Sequence, residues 1–200
     1  MGLLSTVERS ANFSRDRRFR WLLTILWDKS KPMLNVCMLN PSTADEHQDD
    51  PTVERACGHA RRLGMGGLLV TNAYAFKATN PKDLLARLRS GEEVVGKEND
   101  RYIVRAAQAA SLVVCGWGSH IEVLRAEHVL RLIRTNAKRT PHALIFTKGG
   151  QPGHPLYLPY EGCPPMEITH PNFCMECGYE IAPEMGTGLC GECSCEEDGI

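Results

Sequence analysis

Asn40, Asn72, Trp117 and His154 each follow a short apolar run, and together they suit the chemistry of a bound heterocycle. A side-chain amide both donates and accepts hydrogen bonds, so Asn40 can position a water or orient a substrate. Pro41 stiffens the turn behind it, and Ser42 and Thr43 add hydroxyls. The same Asn-Pro pair also suits a simple turn closed by its own side chain. Asn72 can read a planar ring through paired hydrogen bonds, or merely end a strand. Trp117, between two glycines, offers a stacking surface or a core ring. His154 lies between Gly153 and Pro155, where no regular helix fits. There it can donate to a developing anion or polarise a carbonyl, or it is a plain surface histidine.

Beside Asn40, the stretch Ala44 to Asp50 carries four carboxylates, Asp45, Glu46, Asp49 and Asp50. Asp50 precedes Pro51 and has a helix-capping role of its own. Asp45 and Asp49 are the carboxylates to test for chemistry: activating water, steadying a cationic intermediate or binding a divalent ion. A solvated loop is the plainer reading.

Nine cysteines divide unevenly, with five of them inside residues 174–195. Cys174 and Cys177, then Cys190 and Cys193, form two CxxC knuckles, and four thiolates at that spacing can surround one zinc tetrahedrally. Four protein ligands leave no open position, so this zinc is structural. Cys195 is a spare. Cys37, Cys57 and Cys115 sit in apolar patterns and read as small buried hydrophobes. The pattern fits a reducing cytoplasm with a metal site.

The elements that must position these residues follow from periodicity. Apolar runs at 34–39, 68–70, 112–115 and 143–146 alternate with helical segments, as in a doubly wound sheet of buried parallel strands. Ligands of such sheets bind beyond the carboxyl ends of the strands. Asp50-Pro51 opens a helix whose stripe is Val53, Ala56, Cys57 and Ala60, with Gly64 as its C-cap. Asn80-Pro81 opens a second helix. Residues 98–110 and 121–137 form two more, the last with Val123, Ala126, Leu130 and Ile133 inward. Phe19 to Trp27 reads as an antiparallel or edge strand, and residues 1–14 as a loose start.

The hydrophobic share of 42% supports a real core, and a net charge of −1 does not by itself announce a nucleic-acid binder. Arg15, Arg17, Arg18 and Arg20 form a local basic run that either touches phosphates or solvates a strand entry. No stretch approaches the ~18 apolar residues of a membrane span, and no secretory leader is visible. These features point to a cytoplasmic protein with no membrane partner. Residues 1–165 read as one α/β domain and 170–200 as a small zinc-ribbon module.

The run Asn40-Pro-Ser-Thr-Ala-Asp45 followed by Asp50-Pro-Thr52 closely resembles the DUF1643 family, a resemblance that covers roughly residues 15–160. In their order, the strand ends also resemble the uracil-DNA glycosylase superfamily. That resemblance implies a four-stranded, mainly parallel sheet flanked by helices. It further implies that Asn40 positions the attacking water, that Asn72 reads the base, and that His154 stabilises the departing base anion. Cys115-Gly-Trp117-Gly-Ser119 is similar to that superfamily's third strand end. Leu156-Tyr157 after His154-Pro155 departs from its usual serine, and the acidic loop and ribbon are atypical of it.

The combined expectation is a DNA N-glycosylase for a damaged or modified base. Asn40, with Asp45, handles water, and Tyr74 or Phe76 stacks on a base drawn out of its helix. The ribbon and the arginine run hold DNA. Two other readings stand beside it. One is a metal-assisted transferase or hydrolase acting on a modified base or nucleotide, with the ion at Asp45, Glu46 or Asp49. The other is a non-catalytic nucleic-acid or protein-binding module whose working part is the ribbon.

Overall fold

The structure, a computed structural model, describes residues 7–169. The predicted ribbon and its ligands Cys174, Cys177, Cys190 and Cys193 lie outside the described residues. No helix among the described residues is long and apolar enough to cross a membrane.

Among the described residues, seven strands form one mixed sheet in the order β1-β2-β4-β3-β5-β6-β7. The strands are β1 (Glu8–Phe13), β2 (Arg20–Leu26), β3 (Met33–Met38), β4 (Gly67–Asn72), β5 (Leu112–Gly116), β6 (Pro141–Ala143) and β7 (Met166–Glu167). A four-stranded, mainly parallel sheet is therefore corrected. β4, β3, β5 and β6 run parallel, but antiparallel β1 and β2 extend one side and β7 closes the other. The predicted loose start contains β1, whose side chains alternate between exposed and half-buried. Such a strand has no apolar run to reveal it. β2 is antiparallel to both its neighbours, the first of its two readings, and is not an edge, because β1 covers it. The fourth apolar run paired earlier than expected, at Pro141–Ala143, and β7 with buried Ile168 carries the sheet past residue 165.

Four α-helices of the described residues cover the sheet: α1 (Pro51–Arg62), α2 (Pro81–Arg89), α3 (Asn99–Ala109) and α4 (Val123–Arg131). α4 widens into a π-helical turn at Leu132–Asn136. Strand alternation divides the core in two. Leu34, Val36, Met38, Leu68 and Val70 pack with Val53, Ala56, Cys57 and Ala60 of α1. Cys37, Leu39, Leu69, Val113 and Cys115 pack on the other face with Ile103 and Ala107 of α3 and Ala126 and Ile133 of α4 and its turn. Small residues on α1 let its axis approach the sheet closely. Asp50 caps it, accepting from Val53 N at 2.9 Å, a contact of about 1 kcal/mol. Gly64 follows it at φ +74°, a backbone that glycine adopts without a Cβ penalty.

The connections fix where a site must lie. β3 leads through α1 on one face to β4 on one side, whereas β5 leads through α4 on the opposite face to β6 on the other side. The loops after β3 and β5 therefore diverge and leave a crevice between them, at the switch point of the sheet.

Candidate active site

A cavity of about 450 Å³ opens at that crevice. Asn40, Ser42, Asp50 and Thr52 line it from the β3 side, and Trp117, Gly118, Ser119 and His120 from the β5 side. Ala78 and Thr79 follow β4, and Thr147, His154, Leu156 and Tyr157 follow β6. Arg20 reaches it from β2. Its size suits a drug-sized or nucleoside-sized ligand.

Asn40 is held firmly. Its Nδ2 donates to the carbonyls of Pro41 at 3.0 Å and Ala78 at 2.7 Å. Both amide hydrogens are thus committed, which fixes the amide's orientation. Oδ1 accepts no protein hydrogen bond among the described residues, so the group Asn40 offers a ligand is an acceptor. His154 is partly buried, and burial lowers its pKa below 6.5, with Asp50 opposing the shift. The neutral imidazole therefore dominates at pH 7. Its Nδ1 accepts from Leu156 N at 3.4 Å, which assigns the ring proton to Nε2, a donor. The His154 loop lies close against the end of β5: a Cβ on Gly116 would meet Pro155 Cδ at 3.0 Å. Tyr157 is exposed beside His154, with ring centroids 5.9 Å apart.

Trp117 is buried, and its Nε1 donates to Gln151 Oε1 at 2.9 Å. It serves as both core ring and cavity wall. Asn72 does not line the cavity. It is completely buried, and its Oδ1 accepts from Arg20 Nη2 at 3.3 Å. Tyr74 is buried too and exchanges hydrogen bonds with Glu122, its hydroxyl donating to Oε2 at 3.2 Å and accepting from Glu122 N at 3.3 Å. Burial, chiefly, takes its pKa well above the normal 10. Phe76 packs edge-on to Phe19 at 5.8 Å. Pro41 is buried and Thr43 exposed, and neither lines the cavity.

The acidic loop is engaged elsewhere. Asp45 Oδ1 accepts from His47 N and Gln48 N at 2.8 and 3.0 Å, contacts that lower its pKa. Asp49 takes a bidentate bond from Arg9 of β1 at 2.7 and 3.1 Å, and Glu46 pairs with Arg17 at 3.0 Å. None of the three lines the cavity. Among the described residues, no group of three or more His, Cys, Asp or Glu is arranged to hold a metal.

Two site residues escaped the sequence reading. The sequence offers Arg20, with its run, as a phosphate contact or part of a solvated strand entry, yet it is 1% exposed. Its Nη1 donates to the Ala44 carbonyl at 2.7 Å, and no carboxylate pairs with it among the described residues. Burial lowers its pKa to about 10 against the pull of Asp50 and Asp45. Asp50 looked like a cap alone and is also cavity wall. Outside the cavity lining, Arg17 and Lys77 lie over the Phe13 ring, and Arg18 and Arg87 over Phe76. A shallower hollow bounded by Phe76, Lys77 and Arg87 shares Ala78 and Thr79 with the cavity.

Fold and cavity together define an α/β protein with a ligand crevice at the switch point of its sheet. The chain belongs to the DUF1643 family, described as a protein of unknown function, whose match spans residues 20–156. No curated protein and no solved structure matches it.

Proposed function

We propose that the protein is an N-glycosylase that hydrolyses the bond between a base and its sugar, with DNA as the substrate. The observation that carries this reading is the pairing, in one nucleoside-sized cavity, of the fixed acceptor Asn40 Oδ1 with the neutral donor His154. Asn40 Oδ1 accepts a hydrogen from water and aims the water oxygen at C1′. The C1′–N bond breaks and its electron pair leaves on the base. His154 Nε2–H donates to that developing anion, a preorganised stabilisation typically worth 10²- to 10³-fold in rate. The water oxygen bonds to C1′, and the proton it releases returns to the base.

Exposed Tyr157 at the rim offers a stacking surface for a neighbouring base. Arg18 and Lys77 supply positive charge for the phosphate backbone. Asn72 lies one layer behind the cavity, so base reading falls to other residues. The Cys174, Cys177, Cys190 and Cys193 tetrad is proposed, on spacing alone, as a structural zinc ribbon. One tightly held zinc per chain by metal analysis, lost in Cys174→Ser, supports that assignment; metal-free, folded wild type rejects it.

The test of the activity is mass spectrometry of free bases released from DNAs carrying uracil, hydroxymethylated and glucosylated bases, and deaminated purines, as single and double strands. Release of one base by wild type, reduced at least tenfold in Asn40→Ala and in His154→Ala, is expected. Absence of release from every DNA by folded protein overturns the reading.

A further inference from the structure

Arg20 and Asp50 are charged, buried and exposed to the same cavity, 1% and 7% exposed respectively, yet they form no ion pair with each other. The peptide groups of Ala44 stand between them. Arg20 Nη1 donates to Ala44 O at 2.7 Å, and Ala44 N donates to Asp50 Oδ2 at 3.4 Å. Asn72 Oδ1 holds Nη2 from behind. Two opposite charges are thereby set side by side and kept apart.

Neither is saturated. A guanidinium has five N–H donors and an ionised carboxylate about four acceptor sites. Arg20 donates to two protein acceptors, and Asp50 accepts from Val53 N and Ala44 N. Arg20 Nε and Asn72 Nδ2 are buried donors with no partner among the described residues. Buried polar groups left in this state call for a ligand or ordered water. A phosphate would meet the Asp50 carboxylate, and a cation would meet the Arg20 guanidinium. A neutral edge with an acceptor beside a donor satisfies both.

Resting on the glycosylase reading for the identity of the ligand as a base, we propose that Arg20 and Asp50 clamp the base edge. Arg20 donates to a ring nitrogen or keto oxygen, and Asp50 accepts from the adjacent ring N–H or exocyclic amine. The substrate is then an unalkylated base with donor and acceptor on neighbouring positions. Methylation of that donor excludes it.

The experiment is calorimetric binding of free bases to the full chain, set beside base release from DNA. Probes are uracil against 3-methyluracil, cytosine against N4,N4-dimethylcytosine, and inorganic phosphate. The main variant is Asp50→Asn, which keeps a good helix cap while exchanging one carboxylate oxygen for an amide. Arg20→Lys is the second. Binding of at least one unmethylated base, weakened tenfold or more by methylation and by Asp50→Asn, is expected. Equal binding of a base and its methylated partner, no binding of either base, or binding of phosphate alone overturns the clamp. Base release without any methyl or Asp50→Asn effect removes the clamp and leaves the glycosylase. A methyl-sensitive clamp without release from any DNA removes the glycosylase and leaves the clamp.

Discussion

The same residue types meet at two places in this molecule with opposite results. On the outer helical layer, Asp100 of α3 bonds Arg125 Nη2 at 2.6 Å and His128 Nε2 at 2.7 Å, and Arg131 reaches His128 Nδ1 at 3.0 Å. Charges there are partly exposed and matched directly. At the cavity, Arg20 and Asp50 are far more buried and yet unmatched. A closed network holds α3 to α4 and asks for nothing more. An open one at the foot of a cavity leaves hydrogen-bonding capacity for something else.

The sharpest way to break this comparison is through activity. Asn40→Ala and His154→Ala should each lower base release at least tenfold while the urea midpoint changes little. In contrast, His128→Ala on the outer network should leave release near wild type. Equal losses from all three would erase the distinction.

Stability provides the next contrast. Arg20→Met strands the Ala44 carbonyl and the Asn72 oxygen in the core, and each buried orphan costs about 1–3 kcal/mol. Arg20→Met is therefore expected to lose about 2–6 kcal/mol by urea unfolding. Arg125→Met leaves Ala73 O its bond from Asn99 and Asp100 its bond to His128, so it should lose less, about 1–2 kcal/mol. The reverse order would show that the inner arginine is better satisfied than its contacts indicate.

The pH dependence then separates two histidines. His154 donates as the neutral form, and burial lowers its pKa from 6.5, so the neutral ring is the majority form at pH 6.5. If release needs the neutral ring, its acid limb should have its midpoint below pH 6.5. A profile already halved at 6.5 would mean an unshifted histidine. His59 of α1 is buried with no partner on either ring nitrogen among the described residues, and burial, then Arg62 and Arg55, lowers its pKa from 6.5. The unfolded chain therefore binds a proton that the folded chain resists. Its contribution is complete above pH 6.5 and is lost as pH falls below it, at no more than about 1.4 kcal/mol per pH unit. His59→Leu should flatten that part of the stability profile.

The smallest effect belongs to the rim. Arg9→Ala removes the bidentate bond to Asp49, and about 1 kcal/mol or less is expected, shrinking in high salt.

Much of this architecture was legible because burial leaves a periodic trace. The runs behind β3, β4 and β5 and the stripe of α1 were visible as apolar patterns, and Asp50-Pro51 and Asn80-Pro81 announced helix starts that the structure bears out. β1 was invisible because Glu8–Phe13 buries little, and β6 was displaced because Pro141 and His142 do not look like a strand. In the site, Asn40, Trp117 and His154 line one cavity as strand ends should. Asn72 stands behind it, because the antiparallel β2 inserts Arg20 in front of it. That exchange is set by a pairing across 52 positions of sequence, which no local pattern records.

The wall that carries His154 is anchored from far away in the chain. Arg55 Nε donates to the Leu158 carbonyl at 2.9 Å, Arg62 to that of Cys163 at 2.9 Å, and Tyr160 lies over Gly58 so closely that a Cβ there would meet its ring at 2.3 Å. The first two contacts span 103 and 101 positions. During synthesis, α1 and the strands around it leave the ribosome well before these partners exist. The growing chain therefore holds Asn40, Arg20 and Asp50 beside an unfinished wall, which closes only after a further hundred or so residues have been made.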